Sequence, residues 1–139
     1  MEAQQASCAS EMRPRGSVLV VDDDEPTCHL IAECVRLLGF DVAIATSAHQ
    51  ALAIMREHPA RVVFCDIVMP GYDGVWLINQ IRRRHPQTVV IVASGLTSID
   101  PAVTQAPCVA AHLVKPFVFD DIAGALGTAV AARADGYRQ

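Results

Sequence analysis

Carboxylates, a hydroxyl and a lysine each follow an apolar run in this sequence. Runs of this length that end at polar or turn residues are typical of strands buried on both faces of a parallel sheet. Because parallel strands point the same way, their carboxyl ends share one edge, and we expect the polar side chains to lie close together there. They are Asp22, Asp23 and Asp24 after residues 18–21, Asp66 after residues 62–65, Ser94 after residues 88–93 and Lys115 after residues 109–114.

The chemistry that this set permits is phosphoryl transfer to a carboxylate. Carboxylates crowded at one edge repel one another unless some are protonated or a cation lies between them. Oxygen ligands in a partly open site favour Mg²⁺, and a hydroxyl and a lysine complete a pocket for a phosphoryl group. A carboxylate is itself a known nucleophile that forms an aspartyl phosphate. For Asp66 alone, an acid that caps its strand or bonds to the loop explains the sequence equally well, and only the whole set is specific.

The positions of the apolar residues predict five strands that alternate with five helical segments. Strict alternation requires parallel strands, right-handed crossovers and helices on both faces of the sheet. We therefore predict an α/β fold of the (βα)5 type, a doubly wound, flavodoxin-like parallel sheet with the strand order 2-1-3-4-5. In that order the first and third strands are neighbours, which places Asp66 beside Asp22 and Asp23.

Local signals mark the ends of the predicted helices. Pro26 suits the first turn of the first helix, and Ser47 with Gln50 forms a capping box for the second. We predict that Asp120 caps the last helix. Residues 96–108 contain two prolines and little periodicity, so we expect only a short or poorly ordered fourth helix there.

Length and composition suit one domain. We predict a mobile leader at residues 1–16 and a domain at residues 17–139.

The net charge is −4 and no basic stripe exists beyond a solvated helix end at residues 82–84, which gives no support for direct nucleic-acid binding. Five cysteines without C-x-x-C spacing favour a reducing compartment. No apolar run is long enough to cross a membrane, so we expect a cytoplasmic protein without membrane insertion.

Together these motifs resemble the receiver domain of response regulators, the CheY-like family of two-component signal transduction, over residues 17–132. The matching stretches are the acid pair after VLVV, D-I-V-M-P-G-Y-D-G from Asp66, Ser94-Gly95, and Lys115-Pro116-Phe117. The resemblance implies that Asp66 is the phospho-acceptor, and that Lys115 pairs with Asp66 and then with the phosphoryl oxygens. Ser94 would bond the phosphoryl group and draw its loop inward as a switch.

The same resemblance implies a cofactor and partners. Asp23, Asp66 and the main-chain carbonyl of Val68 would hold Mg²⁺, and Asp22 would act largely through water. A sensor histidine kinase or a histidine phosphotransfer protein would supply the phosphoryl group. The chain would be a single-domain switch that catalyses its own phosphorylation and dephosphorylation and controls a separate protein, rather than an enzyme with an outside substrate. The Lys115-Pro116 bond is similar to one that is cis in the family.

His112 departs from the family pattern. It stands three residues before Lys115, where the family usually carries a tyrosine or phenylalanine that swings inward on activation. One interpretation is a partly exposed strand histidine without a role. The other is that the imidazole replaces the aromatic switch and makes it sensitive to pH, because histidine is the side chain that changes charge near neutrality.

Two other functions fit parts of the sequence. The acids at residues 22–24 contain the D-x-D pattern of a Mg²⁺-dependent phosphohydrolase with an aspartyl nucleophile, but the chain lacks room for a substrate-capping region. Steady turnover of small phosphate esters would identify such an enzyme. A non-phosphorylated binding module with the same fold would have no reason to keep the acid pair, Asp66, Ser94 and Lys115 together.

Overall fold

The computed structural model describes residues 16–69, 74–95 and 99–136. Five strands and five helices alternate along these residues. In chain order they are β1 (Ser17–Val21), α1 (Glu25–Leu37), β2 (Asp41–Ala45), α2 (Ala48–Glu57), β3 (Val62–Cys65), α3 (Gly74–Arg84), β4 (Val89–Ser94), α4 (Pro101–Thr104), β5 (Val109–Val114) and α5 (Phe119–Gly136).

The strands form one parallel sheet in the order β2-β1-β3-β4-β5, which confirms the predicted fold. β1 pairs with β2 on one side and with β3 on the other, so that Val20 lies opposite both Ile44 and Phe64. The strand order reverses between β1 and β3, and in open α/β sheets ligands bind at such a reversal, outside the carboxyl ends of the strands. Asp22 follows β1 and Asp66 follows β3 at this position.

Both faces of the sheet are covered. On one face, Val20, Phe64 and Ile91 belong to the core cluster that also contains buried residues of α1 and α5. On the other face, Leu19, Val63 and Val90 belong to a cluster with buried residues of α2 and α3. Every residue of β3 and β4 is buried, which explains why these strands are continuous apolar runs rather than alternating ones.

Side chains cap the first two helices, and Pro26 lies in the first turn of α1 as predicted. Asp24 accepts a hydrogen bond from the Thr27 amide at 3.1 Å and caps α1. Ser47 caps α2 by accepting one from the Gln50 amide at 3.1 Å. The Gln50 side chain accepts from the amide of Thr46 at 2.8 Å, one residue before the cap that a capping box predicts.

The ends of the later helices partly depart from prediction. α4 has only four residues, as expected for the proline-bearing stretch, and Asp100 caps it by accepting from the Ala102 amide at 2.9 Å. The predicted cap of α5 by Asp120 is wrong. The helix begins at Phe119, which places Asp120 inside the first turn, and Asp121 accepts from the Val118 amide at 2.9 Å instead.

The structure does not test the predicted leader. The mobile leader was predicted at residues 1–16, and all of them except Gly16 lie outside the described residues. Among the helices of the described ranges, none is long and apolar enough to span a membrane.

Gly74, the first residue of α3, lies directly against the backbone of the segment that carries Asp66. A Cβ at this position would lie 2.0 Å from the carbonyl oxygen of Asp66 and 2.7 Å from Cα of Ile67. The amide of Gly74 donates to the carbonyl of Ile67 at 2.9 Å. Only glycine allows this approach, so the contact between α3 and the end of β3 depends on the absence of a side chain.

Replacing Gly74 by alanine should lower the free energy of unfolding by about 3 kcal/mol or more, because backbone rather than a flexible side chain must move. Gly124→Ala is the matched control, since a Cβ at Gly124 meets no atom within 4 Å. It should raise the free energy of unfolding by about 0.5–1 kcal/mol through helix propensity. Denaturant unfolding measures both variants, and equal effects would contradict the close contact at Gly74.

Candidate functional site

Asp22, Asp66 and Lys115 meet at the carboxyl edge of the sheet, and main-chain hydrogen bonds between neighbouring strands fix their positions. The amide of Asp22 donates to the carbonyl of Ala45 at 3.1 Å, and the amide of Asp66 donates to the carbonyl of Val21 at 3.0 Å. The amide of Lys115 donates to the carbonyl of Ser94 at 2.8 Å. We call Asp22, Asp23, Asp66 and Lys115 the carboxylate rim.

Lys115 bridges the two buried acids of the rim. Its Nζ lies 2.7 Å from Oδ2 of Asp22 and 3.5 Å from Oδ2 of Asp66. The predicted pair of Lys115 with Asp66 is therefore present, but the shorter contact is with Asp22. Each acid uses its other oxygen locally, because Oδ1 of Asp22 accepts from the amide of Asp24 at 2.9 Å and Oδ1 of Asp66 accepts from the amide of Val68 at 3.3 Å.

Burial makes the charges of the rim costly. Asp22 is 1% exposed and Asp66 is 6% exposed. Desolvation and the charge of Asp22 together raise the pKa of Asp66 above its usual range, against the opposing effect of Lys115. Burial would lower the pKa of Lys115, but its hydrogen bond to Asp22 and the charges of Asp66 and Asp22 outweigh that effect and raise it. One ammonium therefore does not fully compensate two buried carboxylates.

The rim has a donor set that fits a hard divalent cation. Asp22, Asp23 and Asp66 each offer a carboxylate oxygen, and these oxygens all lie within 4.8 Å of one another. Asp23 is exposed while the other two are buried, which gives the partly open arrangement that Mg²⁺ prefers because it retains water ligands. The carboxylates predicted to hold Mg²⁺ are thus brought together, and the contribution of the Val68 carbonyl stays a prediction.

Cys28 supports the rim, a role that the sequence did not predict. Its Sγ donates to the main-chain carbonyl of Asp22 at 3.1 Å from one turn into α1. Burial and the charge of Asp22 raise the pKa of this thiol to about 11, so it remains a protonated donor rather than a thiolate ligand. No spacing signal distinguishes such a cysteine from the small hydrophobe that an apolar helix face usually contains.

The other predicted site residues lie at or near the rim. Ser94 is buried at the end of β4. Val68 follows Asp66 by two residues and exposes its side chain. His112 is half-buried on β5 opposite Val92, and its buried Nε2 has no hydrogen-bond partner among the described residues. The Lys115-Pro116 bond is cis, as the resemblance implied.

Comparisons with known proteins identify the family of the chain. Residues 18–126 match the family model of the response regulator receiver domain. The transcriptional regulatory protein ZraR of Escherichia coli K12 is 34% identical over 115 residues, which are 82% of this chain and 26% of that protein. The chain thus spans about a quarter of the length of this curated relative.

Solved structures show the same fold. NtrX from Brucella abortus, crystallised with ADP, superposes with a TM-score of 0.81 at 28% identity, over 88% of this chain and 29% of that one. A CheY-like receiver domain protein from Methanospirillum hungatei gives a TM-score of 0.79 at 21% identity, over 86% of this chain and 97% of that one. At that identity the second likeness concerns the fold alone. The chain belongs to the response regulator receiver domain family of two-component signal transduction.

Proposed function

We propose that this receiver accepts a phosphoryl group on Asp66 from a phosphohistidine of a histidine kinase or a histidine phosphotransfer protein, in a Mg²⁺-dependent reaction. Membership of the family makes the chain a receiver domain of a signalling switch. The observation that carries the finer proposal is the meeting of Asp66, Asp22 and Lys115 at one rim, with Nζ of Lys115 within 3.5 Å of both acids.

In the proposed reaction a carboxylate oxygen of Asp66 attacks phosphorus. The new O–P bond forms as the P–N bond of the phosphohistidine breaks, and the electron pair leaves with the imidazole nitrogen, which takes a proton from solvent. Oδ2 of Asp66 is the oxygen that faces Lys115, while Oδ1 is held by the amide of Val68. The ammonium of Lys115, anchored by Asp22, stands ready to stabilise charge on the transferred phosphoryl oxygens.

Mg²⁺ held by Asp23, Asp66 and the main-chain carbonyl of Val68, with Asp22 acting through water, would neutralise the crowded negative charge when bound. The raised pKa of Asp66 supports this part of the proposal, because the shift comes from burial and from the charge of Asp22. A cation between the acids removes the repulsion and leaves Asp66 ionised, which is the form that attacks phosphorus.

The surroundings of the rim support a protein partner. Large apolar side chains are exposed near it, among them Leu30 (51%), Val68 (59%) and Val118 (65%). Leu30 and Lys115 line one groove of about 390 Å³. Exposed apolar groups that cluster beside a site mark protein interaction surfaces. In this proposal both the phosphoryl donor and the downstream target are therefore proteins, and the receiver residues make no direct contact with nucleic acid.

We assign the switch to Ser94 and His112. Because the carbonyl of Ser94 accepts from the amide of Lys115, a displacement of Ser94 toward a phosphoryl group would be passed to the end of β5. His112 lies on that strand three residues earlier. No described residue forms a hydrogen bond with its buried Nε2, so a change of rotamer would break no bond at that nitrogen.

Incubation of the wild-type chain with Mg²⁺ and acetyl phosphate should add the mass of one phosphoryl group, measured by intact mass spectrometry. Asp66→Asn should abolish the addition, because the amide is not a nucleophile, and chelation of Mg²⁺ should slow it. Asp41→Asn is the matched control, since Asp41 is an exposed acid at the opposite edge of the sheet, and it should be labelled like the wild type. Labelling of Asp66→Asn would refute the assignment, and steady turnover of the donor would indicate a phosphohydrolase.

Without Mg²⁺ at pH 7, Asp66→Asn should raise the free energy of unfolding, by an amount on the order of 1 kcal/mol. The reason is that a raised pKa in the folded state makes ionised Asp66 unfavourable above that pKa. The gain should vanish as the pH falls below the usual aspartate range, where the wild-type carboxyl is protonated in both states. Asp41→Asn should show no such pH dependence in denaturant unfolding, and a loss of stability in Asp66→Asn at pH 7 would contradict the electrostatic account.

His112→Phe should preserve the phosphorylation-induced change in the amide resonances of β5, because an aromatic ring still fills the switch position, and His112→Ala should reduce it several-fold. Nuclear magnetic resonance between pH 6 and 8 measures this change in the wild type, in His112→Phe and in His112→Ala. The wild-type response should vary with pH while the phenylalanine variant stays constant. An unaltered response in His112→Ala would remove the switch role, and identical pH curves for the wild type and His112→Phe would remove the pH sensitivity.

A further inference from the structure

The amino edge of the sheet carries the opposite charge from the rim. α2 and α3 both end there, and the segments 56–61 and 82–88 hold five arginines and one glutamate, a formal charge of +4 in a chain whose total is −4. The acids of the rim lie at the other edge, after β1 and β3. Strands of four to six residues, at about 3.3 Å per residue, separate the two edges. Because this distance exceeds the screening length of about 8 Å in physiological salt, the basic edge acts on ligands largely independently of the acidic one.

A groove of about 320 Å³ lies between the two loops that lead into β3 and β4. Arg61 from the first loop and Arg84 and His85 from the end of α3 line it. We call it the arginine groove. Its size is at the lower end of the range for small-molecule sites, which is enough for an oxyanion but not for a folded surface.

Hydrogen bonds between the two loops hold the walls of the groove together. The hydroxyl of Thr88, which is buried, donates to the carbonyl of Ala60 at 2.7 Å. The amide of Val89 donates to the carbonyl of Arg61 at 3.0 Å. Both bonds join the loop that carries Arg61 to residues 88 and 89 at the start of β4, so a ligand would not have to order the backbone of that loop.

The side chain of Arg61 depends on the glycine that it crosses. A Cβ at Gly16 would lie 2.6 Å from Cδ and 2.9 Å from Nη1 of Arg61. Gly16 also has φ +149°, a conformation that favours glycine. The space left by Gly16 is therefore what allows Arg61 to lie where it lines the groove.

Arg84 keeps an uncompensated charge within the described part of the chain. No carboxylate in that part forms an ion pair with Arg84 or with its neighbour Arg83, and Arg82 donates to the amide oxygen of Asn79 at 3.4 Å. The dipole of α3 explains why basic residues suit its last turn. It does not explain a second arginine on a different loop that lines the same groove.

We propose that the arginine groove binds a small oxyanion of the phosphate class, that is, a soluble molecule with one or two phosphoryl groups. Guanidinium groups match the geometry of phosphate oxygens with paired N–H donors. A nucleic acid would need a stripe of cations rather than one short groove, and the net charge of −4 disfavours a long polyanion. The proposal concerns the edge opposite Asp66 and does not rest on the proposed phosphorylation.

Titration of the chain with inorganic pyrophosphate, in Mg²⁺-free buffer at constant ionic strength and followed by amide resonances, tests the proposal. Saturable shifts should be confined to residues 59–61 and 84–88, with a Kd of about 1 mM or tighter. Arg84→Gln should weaken binding by about tenfold, the usual effect of losing a charge-assisted hydrogen bond. Arg82→Gln is the matched control, because it removes the same charge from a residue of α3 that does not line the groove. It should weaken binding by about twofold or less.

A further variant, Gly16→Ala, tests the groove without changing its charge. A methyl group there must displace Arg61, so binding should weaken several-fold although every arginine is present, and dispersion of the resonances verifies that the variant is folded. Non-saturating shifts, equal losses in Arg82→Gln and Arg84→Gln, or shifts confined to the rim would overturn the proposal. Tighter binding of hexaglutamate than of pyrophosphate would overturn it in favour of an acidic protein segment. Labelling by acetyl phosphate should be unaffected in Arg84→Gln, which separates this site from the one at Asp66.

Discussion

Two carboxylates buried side by side against a single ammonium are the constraint on which the rest of the structure depends. Asp22 and Asp66 follow neighbouring strands, and Lys115 reaches both of them. In a buried setting their repulsion is not screened by water as it would be at a surface. The rim therefore retains an excess of negative charge that a proton or a cation must offset, and this is the physical basis of the proposed need for Mg²⁺ before Asp66 can accept a phosphoryl group.

The fold holds these mutually repelling carboxylates in fixed positions. The central strands are buried on both faces, so the residues that end them are held by rigid main-chain ladders rather than by mobile loops. Smaller contacts refine the positions, namely the thiol of Cys28 on the carbonyl of Asp22 and the close packing of Gly74 on Asp66. The arginines collect at the opposite edge, where α2 and α3 end, and the length of the strands therefore separates the two charged ends of the molecule.

The sequence predicted the strand order and the carboxylate cluster because both follow from local patterns. A buried parallel strand must be apolar throughout, and its end must be polar, so the positions of Asp66 and Lys115 can be found from residue types alone. The closer contact of Lys115 with Asp22 could not be found in this way, since it depends on a side-chain rotamer and on which oxygen each acid uses in its own loop. The hydrogen bond at the start of α5 is similar, because Asp120 and Asp121 give the same signal in the sequence and only the structure shows that Asp121 accepts from the Val118 amide. The arginine groove could not be predicted from the sequence, because only the pairing of β3 with β4 brings Arg61 and Arg84 together.

The carboxyl carbon of Asp66, followed by ¹³C resonance during a pH titration, tests the central claim most directly. In the wild type without Mg²⁺, the pKa of Asp66 should lie above the ordinary aspartate value, and Asp22→Asn should bring it down. Saturating Mg²⁺ should lower it in the wild type as well. A wild-type pKa in the ordinary range that neither Asp22→Asn nor Mg²⁺ changes would show that the acids at this edge do not interact, and would contradict the account.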